Sequence, residues 1–313
     1  MSISPTTESI GPGGTISAAI VELLDRYQQT ASPSARVLLT TVFGDSLLPR
    51  RCAVAVQDLA ALMAPLGINE RSVRTALQRL ATEELVEAER QGRRSYYRVH
   101  PAAEATFASA EQRIYHRPSI PWDGAWTIAV LAPGGDAAPD RRRLQQELRW
   151  LGLAEVATGV AVSAVVEPKR VSEAAERSGT DGLLAVIRGP LEAGSLNGDE
   201  VRRALADPTG DLQRLHRQHL ATFEPYVDVA TESAVDAWVV RTLVIDSWRR
   251  LALRAAAVPD ELEPVDWPAD EAYELTALLF RRLAPASEHH LDRQVGPGPT
   301  PPVRFPGAAE TRP

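Results

Sequence analysis

The chain of 313 residues has a single cysteine, Cys52, and it lacks long apolar runs. One cysteine cannot form an internal disulfide or a zinc site built from several thiolates. The most apolar stretch, 235–253, contains two aspartates and three arginines, which indicates a buried helix rather than a membrane span. The N-terminal residues have neither the basic start nor the apolar segment of a secretion signal. We therefore expect a cytoplasmic protein without a membrane partner.

Motifs of catalysis and nucleotide binding are also lacking. The sequence has no Gly-x-Ser-x-Gly elbow, no Walker loop and no dinucleotide-binding glycine fingerprint. His216 and His219 share a helix face, but neither they nor the pair His289 and His290 have a cysteine or carboxylate at a recognisable ligand spacing. We expect these histidines to be polar residues of solvated helices. The sequence predicts no catalytic residue, no metal site and no cofactor.

The composition that is present is typical of a globular protein with two or three domains. Hydrophobic residues make up 44% of the chain and charged residues 24%. The formal net charge of −7 argues against indiscriminate polyanion binding by the whole chain. Residues 34–100 differ, because ten arginines there accompany seven acidic residues. A locally basic region in an acidic chain can direct nucleic acid to one face.

The first hundred residues predict several helices. Residues 1–14 are rich in Ser, Thr, Gly and Pro, and residues 16–27 place apolar side chains at helical spacing, so we expect residues 1–32 to be an extension with a disordered start and an amphipathic helix. Ser32 followed by Pro33 predicts the start of the next helix, and Gly44 its end.

Two more helices and a tight turn follow. Apolar residues between 59 and 66 predict a helix that ends at Gly67, and Asn69 can cap the helix after it. In this third helix Val73, Ala76, Leu77 and Leu80 fall on one face, which must be the buried one. Three helices in this order are typical of a helix-turn-helix core.

Residues 85–99 change to a strand period. Val86 and Ala88 alternate with charged residues, a tight turn is predicted at Gln91-Gly92, and the tyrosines that follow favour a strand. The segment predicts a β-hairpin, or wing, so that residues 33–100 form a winged helix-turn-helix domain.

The polar face of the third helix is predicted to enter the major groove of DNA. Arginine can pair with guanine through two hydrogen bonds, asparagine and glutamine can pair with adenine, and threonine can contact a thymine methyl group. Side chains at the hairpin tip can hold phosphates. The predicted DNA contacts are Asn69, Arg71, Ser72, Arg74, Thr75, Gln78, Arg79, Arg93, Arg94, Ser95 and Tyr96. The alternative is an ordinary solvated surface.

The rest of the chain is mixed and then helical. Residues 101–121 predict a linker helix with a proline-bearing end, and residues 122–195 alternate strands and helices in the manner of a small ferredoxin-type α+β domain. The predicted strands are 125–131, 156–166 and 182–188, and the predicted helices are 140–151 and 170–176. Residues 196–290 predict a helical domain, and the Pro/Gly-rich residues 291–313 predict a disordered tail.

Several short motifs occur together along residues 34–283. They are Phe43-Gly44-Asp45, Leu66-Gly67-Ile68, residues 73–80, residues 92–97, Arg113-Ile114-Tyr115, residues 122–126, Arg241-Thr242-Leu243, Trp248-Arg249-Arg250 and Asp266-Trp267-Pro268. Together they resemble the PaaX family of phenylacetic acid catabolism repressors. Three positions depart from the family pattern: Asp246 stands where a histidine is frequent, Ala269 where a glycine is common, and the strand 159–166 has no tryptophan.

The resemblance implies an α+β protein with an N-terminal winged helix-turn-helix, a central Cas2-like ferredoxin-type domain and a C-terminal helical domain. It further implies a homodimeric repressor of double-stranded operator DNA, released by an aryl-acyl-CoA effector such as phenylacetyl-CoA. The residues predicted to bind this effector are Trp238, Arg241, Asp246, Trp248, Arg249 and Arg250. The alternative for Asp246 is a structural ion pair with Arg249 or Arg250.

Two other functions remain as alternatives. Cas2-type nucleases need an aspartate at the end of the first strand, whereas here that strand ends Val130-Leu131-Ala132-Pro133. A winged-helix adaptor that contacts ligands or proteins would favour acidic replacement of the DNA-reading face, and Arg71, Arg74 and Thr75 do not fit that pattern.

Overall fold

The structure is a computed structural model, and its contacts divide the chain into two compact units. The described residues are 16–116, 120–132, 139–177, 179–190, 199–207, 211–228, 233–255, 258–299 and 304–306. Unit 1 comprises residues 1–117, 217–253 and 271–313, and unit 2 comprises residues 118–216 and 254–270. The predicted disordered start and the proline-bearing end of the linker at 117–119 lie outside the described residues.

The N-terminal helix α1 spans Ala18–Ala31 and buries Ile20, Leu23 and Tyr27, which confirms the predicted amphipathic helix. The prediction that Ser32 starts the next helix is wrong. Ser32 ends α1 in a left-handed conformation, and its amide donates to carbonyls of the last turn. The N-cap is supplied two residues later by Ser34, because Ser32 is already used to close α1.

Helix α2 spans Ala35–Val42, and a π-helical turn at Phe43–Leu47 continues it. Gly44 therefore does not end the helix as predicted. A Cβ atom at this position would lie only 3.0 Å from the ring of Phe107, so the glycine permits close packing rather than a helix stop.

Helices α3, Val56–Met63, and α4, Glu70–Thr82, confirm the two predicted helices and the tight turn between them. A short 3-10 turn at Ala64–Leu66 ends at Gly67, whose φ of 77° is the left-handed conformation that glycine tolerates best. The predicted apolar face of α4 is confirmed, since Val73, Ala76, Leu77 and Leu80 are its buried residues. Burial of each large aliphatic side chain contributes about 1.5–3 kcal/mol.

A three-stranded antiparallel sheet follows. Strands β1, Val54–Ala55, β2, Val86–Gln91, and β3, Arg94–Val99, lie in the order β1-β3-β2. Gln91 pairs with Arg94, so the hairpin turn is Gly92-Arg93 and lies one residue beyond the predicted one. Gly92 supplies the positive φ, 64°, that the tight turn requires. After the sheet, helix α5 spans Glu104–Glu111 in the predicted linker.

Unit 2 contains a four-stranded antiparallel sheet in the order β5-β6-β4-β7. The chain runs β4 Ala125–Leu131, α6 Pro139–Leu151, β5 Ala154–Ala157, β6 Val160–Ser163, α7 Pro168–Arg177 and β7 Leu184–Pro190. This mixed strand and helix content confirms the predicted α+β class. The predicted strand 156–166 is instead a hairpin, because Gly159 with φ 77° reverses the chain between β5 and β6.

Four more described helices complete the chain: α8 Asp199–Ala206, α9 Leu212–Phe223, α10 Ala234–Arg254 and α11 Ala269–Val295. Among the described residues, none of the helices combines the length and apolar character needed to cross a membrane. The expectation that His216 and His219 are solvated is wrong, since they are only 1% and 2% exposed. In unit 1, His219 lies within 2.9 Å of the hydroxyls of both Ser247 and Thr276.

The C-terminal tail differs from its prediction. Helix α11 continues to Val295, and residues 304–306 are described beyond it. Arg304 and Phe305 are 5% and 1% exposed, because the arginine finds carboxylate partners and the phenylalanine finds aromatic neighbours inside unit 1.

Candidate nucleic-acid interface

The apolar residues of helix α4 are buried, and this burial leaves its polar face exposed to solvent. Asn69 begins the helix, because its side-chain oxygen accepts a hydrogen bond of 2.9 Å from the amide of Ser72. A side-chain cap of this kind satisfies one of the free amides of the first turn. The polar residues predicted to read DNA on α4 are exposed except Ser72, which is half-buried: Asn69, Arg71, Arg74, Thr75, Gln78 and Arg79.

The two arginines at the start of α4 are held differently. Arg74 forms an ion pair with Glu70 one turn earlier, at 2.6 Å. Arg71 forms no ion pair within the part of the chain that the structure describes. Thr75 donates its hydroxyl to the carbonyl of Arg71 at 3.0 Å. Arg71 is therefore the more available cation on this face.

The β2–β3 hairpin carries the second set of predicted contacts. Arg93 lies in the turn, and Arg94 and Ser95 at the start of β3 are exposed, whereas Tyr96 is half-buried. Strand β3 pairs with β2 on one side and β1 on the other, so its base is anchored. Nearer the base, Arg98 pairs with Glu87 at 2.6 Å. The outward positive charge of the hairpin is thus concentrated at its tip.

The predicted effector residues all lie on α10 in unit 1, where Arg249 and Arg250 are half-buried and the other four are buried. The Trp238 indole donates to the carbonyl of Leu62 on α3 at 3.0 Å. The Trp248 indole donates to the carbonyl of Ile114 at 2.8 Å. Both rings are almost fully buried. The two tryptophans tie α10 to elements at the N-terminal side of unit 1.

Asp246 is a buried acceptor that joins three helices. Its carboxylate accepts from Thr41 of α2 at 2.7 Å and from Tyr27 of α1 at 2.8 Å. Its ion pairs with Arg249 and Arg250, at 3.3 and 3.2 Å, confirm the structural pairing weighed from the sequence. Burial, reinforced by the nearby Asp246 charge, raises the pKa of Tyr27 well above its ordinary value. Tyr27 therefore stays protonated and donates.

Asp45 is the centre of a second buried cluster. One of its carboxylate oxygens is 3.0 Å from Arg241, and the other is 2.8 Å from Arg304 and accepts from the Tyr115 hydroxyl at 2.7 Å. Burial by itself would raise the pKa of Asp45, but the Arg241 and Arg304 guanidiniums outweigh it and hold that pKa below its ordinary value. Arg241 also pairs with Glu288 of α11.

Sequence reasoning missed the partners of these charges. No role was predicted for Tyr27, Thr41, Asp45 or Arg304, although they are buried and contact the predicted effector residues directly or through Asp45. Asp45 occurs in the quoted motif Phe43-Gly44-Asp45, which was the only signal available. These contacts join residues up to 259 positions apart, and a local pattern does not encode such separations.

In unit 2, Asp123 lies two residues before β4, the first strand of that unit. It caps the backbone amide of Ala125 at 2.9 Å and pairs with Arg188 at 2.9 Å. Its environment is thus that of a structural carboxylate. Among the described residues, no three His, Cys, Asp or Glu side chains form a group that could hold a metal ion.

Comparison with known proteins connects these features to a family. Three models of one family match successive parts of the chain: PaaX-like protein over residues 34–102, the PaaX central Cas2-like domain over 119–201 and the PaaX-like C-terminal domain over 208–293. The matched segments together cover most of the chain. The helix α1 and the buried pair Arg304-Phe305 lie outside them.

Two relatives extend the comparison. The Transcriptional repressor PaaX of Escherichia coli (strain K12) is 27% identical over 275 residues, which cover 84% of this chain and 86% of the relative. The structure of the uncharacterized protein Rv0674 from Mycobacterium tuberculosis matches with a TM-score of 0.53 at 18% identity, covering 81% of this chain and 97% of that one. The second likeness concerns the fold alone. From the three family models and the relative that spans most of its length, the chain belongs to the PaaX-like protein family.

Proposed function

We propose that the chain is a DNA-binding transcriptional repressor whose winged helix-turn-helix consists of α2, α3, α4 and the β2–β3 hairpin. The observation that carries this proposal is the exposed polar face of α4, with Arg71 outside any described ion pair, beside a hairpin with a basic tip. Side chains of this kind can read base edges while the tip holds phosphates. The repressor relative and the family match support the same function.

The proposed domain division follows the sequence prediction. The winged helix occupies 33–100, the linker 101–121, the ferredoxin-type domain 122–195 and the helical domain 196–290. We propose a cytoplasmic homodimer that places its two α4 helices in successive major grooves about 34 Å apart on a near-palindromic operator.

The proposed effector is an aryl-acyl-CoA such as phenylacetyl-CoA, and the proposed binding residues are those on α10. Arg249 and Arg250 are held by Asp246, which also holds Thr41 of α2. Effector phosphates that attract these guanidiniums would compete with Asp246 and so weaken the attachment of α2. Release of DNA then requires that the effector bind the altered state more tightly than the DNA-bound state.

Fluorescence anisotropy tests the proposal. Labelled DNA from the protein's own promoter and a scrambled duplex are titrated with the protein over a range of salt concentrations, with and without phenylacetyl-CoA. We expect specific, salt-sensitive binding that the thioester relieves. Specific binding without relief would overturn the effector and keep the repressor. Equal weak binding to both duplexes would overturn the repressor in favour of a winged-helix adaptor that contacts proteins or ligands.

A variant pair sharpens this experiment. Arg71→Ala removes the available cation of the α4 face, whereas Arg293→Ala removes an exposed arginine of α11. The two substitutions change the net charge equally. A loss of specific binding with the first and not with the second supports the assigned face, while equal effects would indicate only a general charge contribution.

A further inference from the structure

The residues Arg304 and Phe305 occupy a pocket inside unit 1. The Phe305 ring lies among three aromatic rings, with centroid distances of 5.1 Å to Tyr115, 5.4 Å to Tyr273 and 5.3 Å to Phe280. Its carbonyl accepts a hydrogen bond of 3.2 Å from Arg281. The pair with Tyr115 is edge-on and the other two are tilted, and aromatic pairs at such distances gain about 0.5–1.5 kcal/mol each beyond their burial.

The neighbouring residue Arg304 fills the polar half of the same pocket. Its guanidinium pairs with Asp45 at 2.8 Å and with Glu111 at 3.2 Å. It also lies over the Tyr115 ring, 4.3 Å from the centroid, where the ring face attracts a cation. Tyr115 thus contacts both adjacent side chains, while the carboxylates bind only the cationic one and Tyr273 and Phe280 pack on the aromatic one.

The charge around the pocket favours a cation at this position. The connected carboxylates are Asp45, Glu111, Glu288 and Asp292, and the guanidiniums are Arg50, Arg241 and Arg304. Without Arg304, two guanidiniums would face four carboxylates. Asp45, the most buried of these carboxylates, would keep only Arg241 as an ion-pair partner among the described residues. The excess of negative charge around an empty pocket therefore favours occupation by another cationic group.

The backbone leading to the pocket is guided by Arg50. Its guanidinium donates to the carbonyl of Gly296 at 2.9 Å, and a Cβ atom at Gly298 would come within 2.6 Å of its side chain. A tethered segment of this kind meets its pocket at an effective concentration of the order of mM. The described residues 304–306 form no helix or strand, so the two side chains and one backbone hydrogen bond account for the recognition.

We infer that this Arg-Phe pocket, formed by Asp45, Glu111, Tyr115, Tyr273 and Phe280, is a binding site for an arginine-aromatic peptide, which the chain's own tail occupies as an exchangeable internal ligand. Exchange also affects α2, because Asp45 lies in the π-helical turn that continues that helix. This second consequence rests on the proposed function, since α2 belongs to the proposed DNA-binding domain.

The test uses the full-length chain and a labelled peptide with the sequence of residues 303–307, Val-Arg-Phe-Pro-Gly. The double variant Arg304→Ala with Phe305→Ala removes the internal ligand and is titrated with the peptide by anisotropy. We expect saturable binding to this variant and at least about tenfold weaker apparent binding to the wild type, whose tail competes. A peptide with alanine in place of arginine is expected to bind at least about tenfold more weakly than the labelled peptide.

Two results would overturn the inference. The first is a folded double variant that does not bind the peptide, and the second is equal binding of the two peptides. If the double variant loses cooperative unfolding, Phe305→Leu is titrated in its place, because leucine keeps an apolar side chain in the pocket while weakening the aromatic contacts. Apparent peptide binding to that folded variant that is no tighter than binding to the wild type likewise overturns the site.

Operator binding by the same variants tests the effect on α2. We expect the double variant to bind operator with an affinity that differs at least about threefold from that of the wild type, and added peptide to restore the wild-type value. Peptide binding with unchanged operator affinity would overturn the link to α2. Failure of the wild type itself to bind operator would overturn the proposed function, and the peptide titration remains readable because it contains no DNA.

Discussion

Two groups of arginines in unit 1 lie in opposite environments. Arg71, Arg93 and Arg94 are exposed on α4 and the hairpin. Arg241 and Arg304 are buried, and both pair with Asp45. An exposed guanidinium contributes little to folding stability and remains available to an anionic partner. A buried one is already committed to carboxylates, so its removal affects the fold first.

The largest expected effect is on the buried group. Arg241→Ala leaves Asp45 and Glu288 without a shared cation, and we expect the free energy of unfolding to fall by about 3–5 kcal/mol. Urea denaturation followed by circular dichroism measures this loss. The exposed Arg293→Ala serves as control and is expected to stay within about 0.5 kcal/mol of the wild type. A loss below about 1 kcal/mol for Arg241→Ala would contradict the assigned role of the cluster.

Acid should weaken the same cluster. Because the folded-state pKa of Asp45 is below its ordinary value of 3.8, its contribution to stability is present above that value and is lost as the pH falls through the folded-state pKa. Urea unfolding between pH 7 and pH 3 checks this for the wild type and Asp45→Asn. We expect the variant to be less stable at pH 7 and to lose less stability in acid. Parallel pH profiles would count against the depressed pKa.

Among the exposed arginines, Arg71 is expected to contribute most to sequence-specific binding. Arg71→Ala should weaken specific operator binding by about 1–3 kcal/mol, the usual contribution of an arginine that makes two hydrogen bonds to guanine. Its unfolding free energy should change little, since Arg71 is exposed. Arg74→Ala is expected to cost less affinity, because Glu70 competes for that guanidinium. Anisotropy on operator and scrambled DNA measures both. Unaltered affinity and specificity in both variants would show that the reading face is wrongly assigned.

The hairpin tip should act differently from α4. Arg93→Ala and Arg94→Ala are each expected to weaken binding to operator and scrambled DNA alike, and to lower the slope of log affinity against log salt by about 1. Salt titrations of each variant provide the measurement. A change in sequence preference without a change in slope would place these side chains on base edges instead of phosphates.

The smallest expected effect lies at the end of α4. Glu84 has a φ of 55°, a conformation that is strained for a residue with a Cβ atom. Glu84→Gly relieves the strain but increases the freedom of the unfolded chain, so we expect a net gain of about 0.5 kcal/mol in thermal or urea unfolding. Operator affinity should stay unchanged because residue 84 lies beyond the predicted reading face. Destabilisation would show that the side chain makes a contribution larger than the strain.

The helices and the hairpin could be predicted from the sequence because their signals are local. The Asn69 cap, the left-handed Gly67 and the apolar spacing of α4 each depend on a few neighbouring residues, and the structure contains all three. The prediction failed where two local signals competed. Ser32 before Pro33 is typical of an N-cap, but in the structure it closes α1 in a left-handed conformation and Ser34 caps α2.

The candidate site also has features that could be predicted from the sequence and features that could not. Which α4 residues face outward follows from the helical period, so the list of predicted DNA contacts could be made from the sequence. Whether an arginine on that face is available or paired depends on neighbours such as Glu70, and the sequence left this open. For α10, the sequence indicated burial and an Asp246 ion pair, but it gave no sign that Tyr27 and Thr41 complete that site.

The sequence by itself determined the order of helices and strands, the buried face of α4 and the family, because each is carried by short-range periodicity or by contiguous motifs. Only the tertiary structure decided that Asp45 meets both Arg241 and Arg304, and that Phe305 is buried in a segment whose composition predicts disorder. The physical reason is that ion pairs and aromatic packing act over a few ångströms in space, whereas their members are separated by up to 259 positions in the chain.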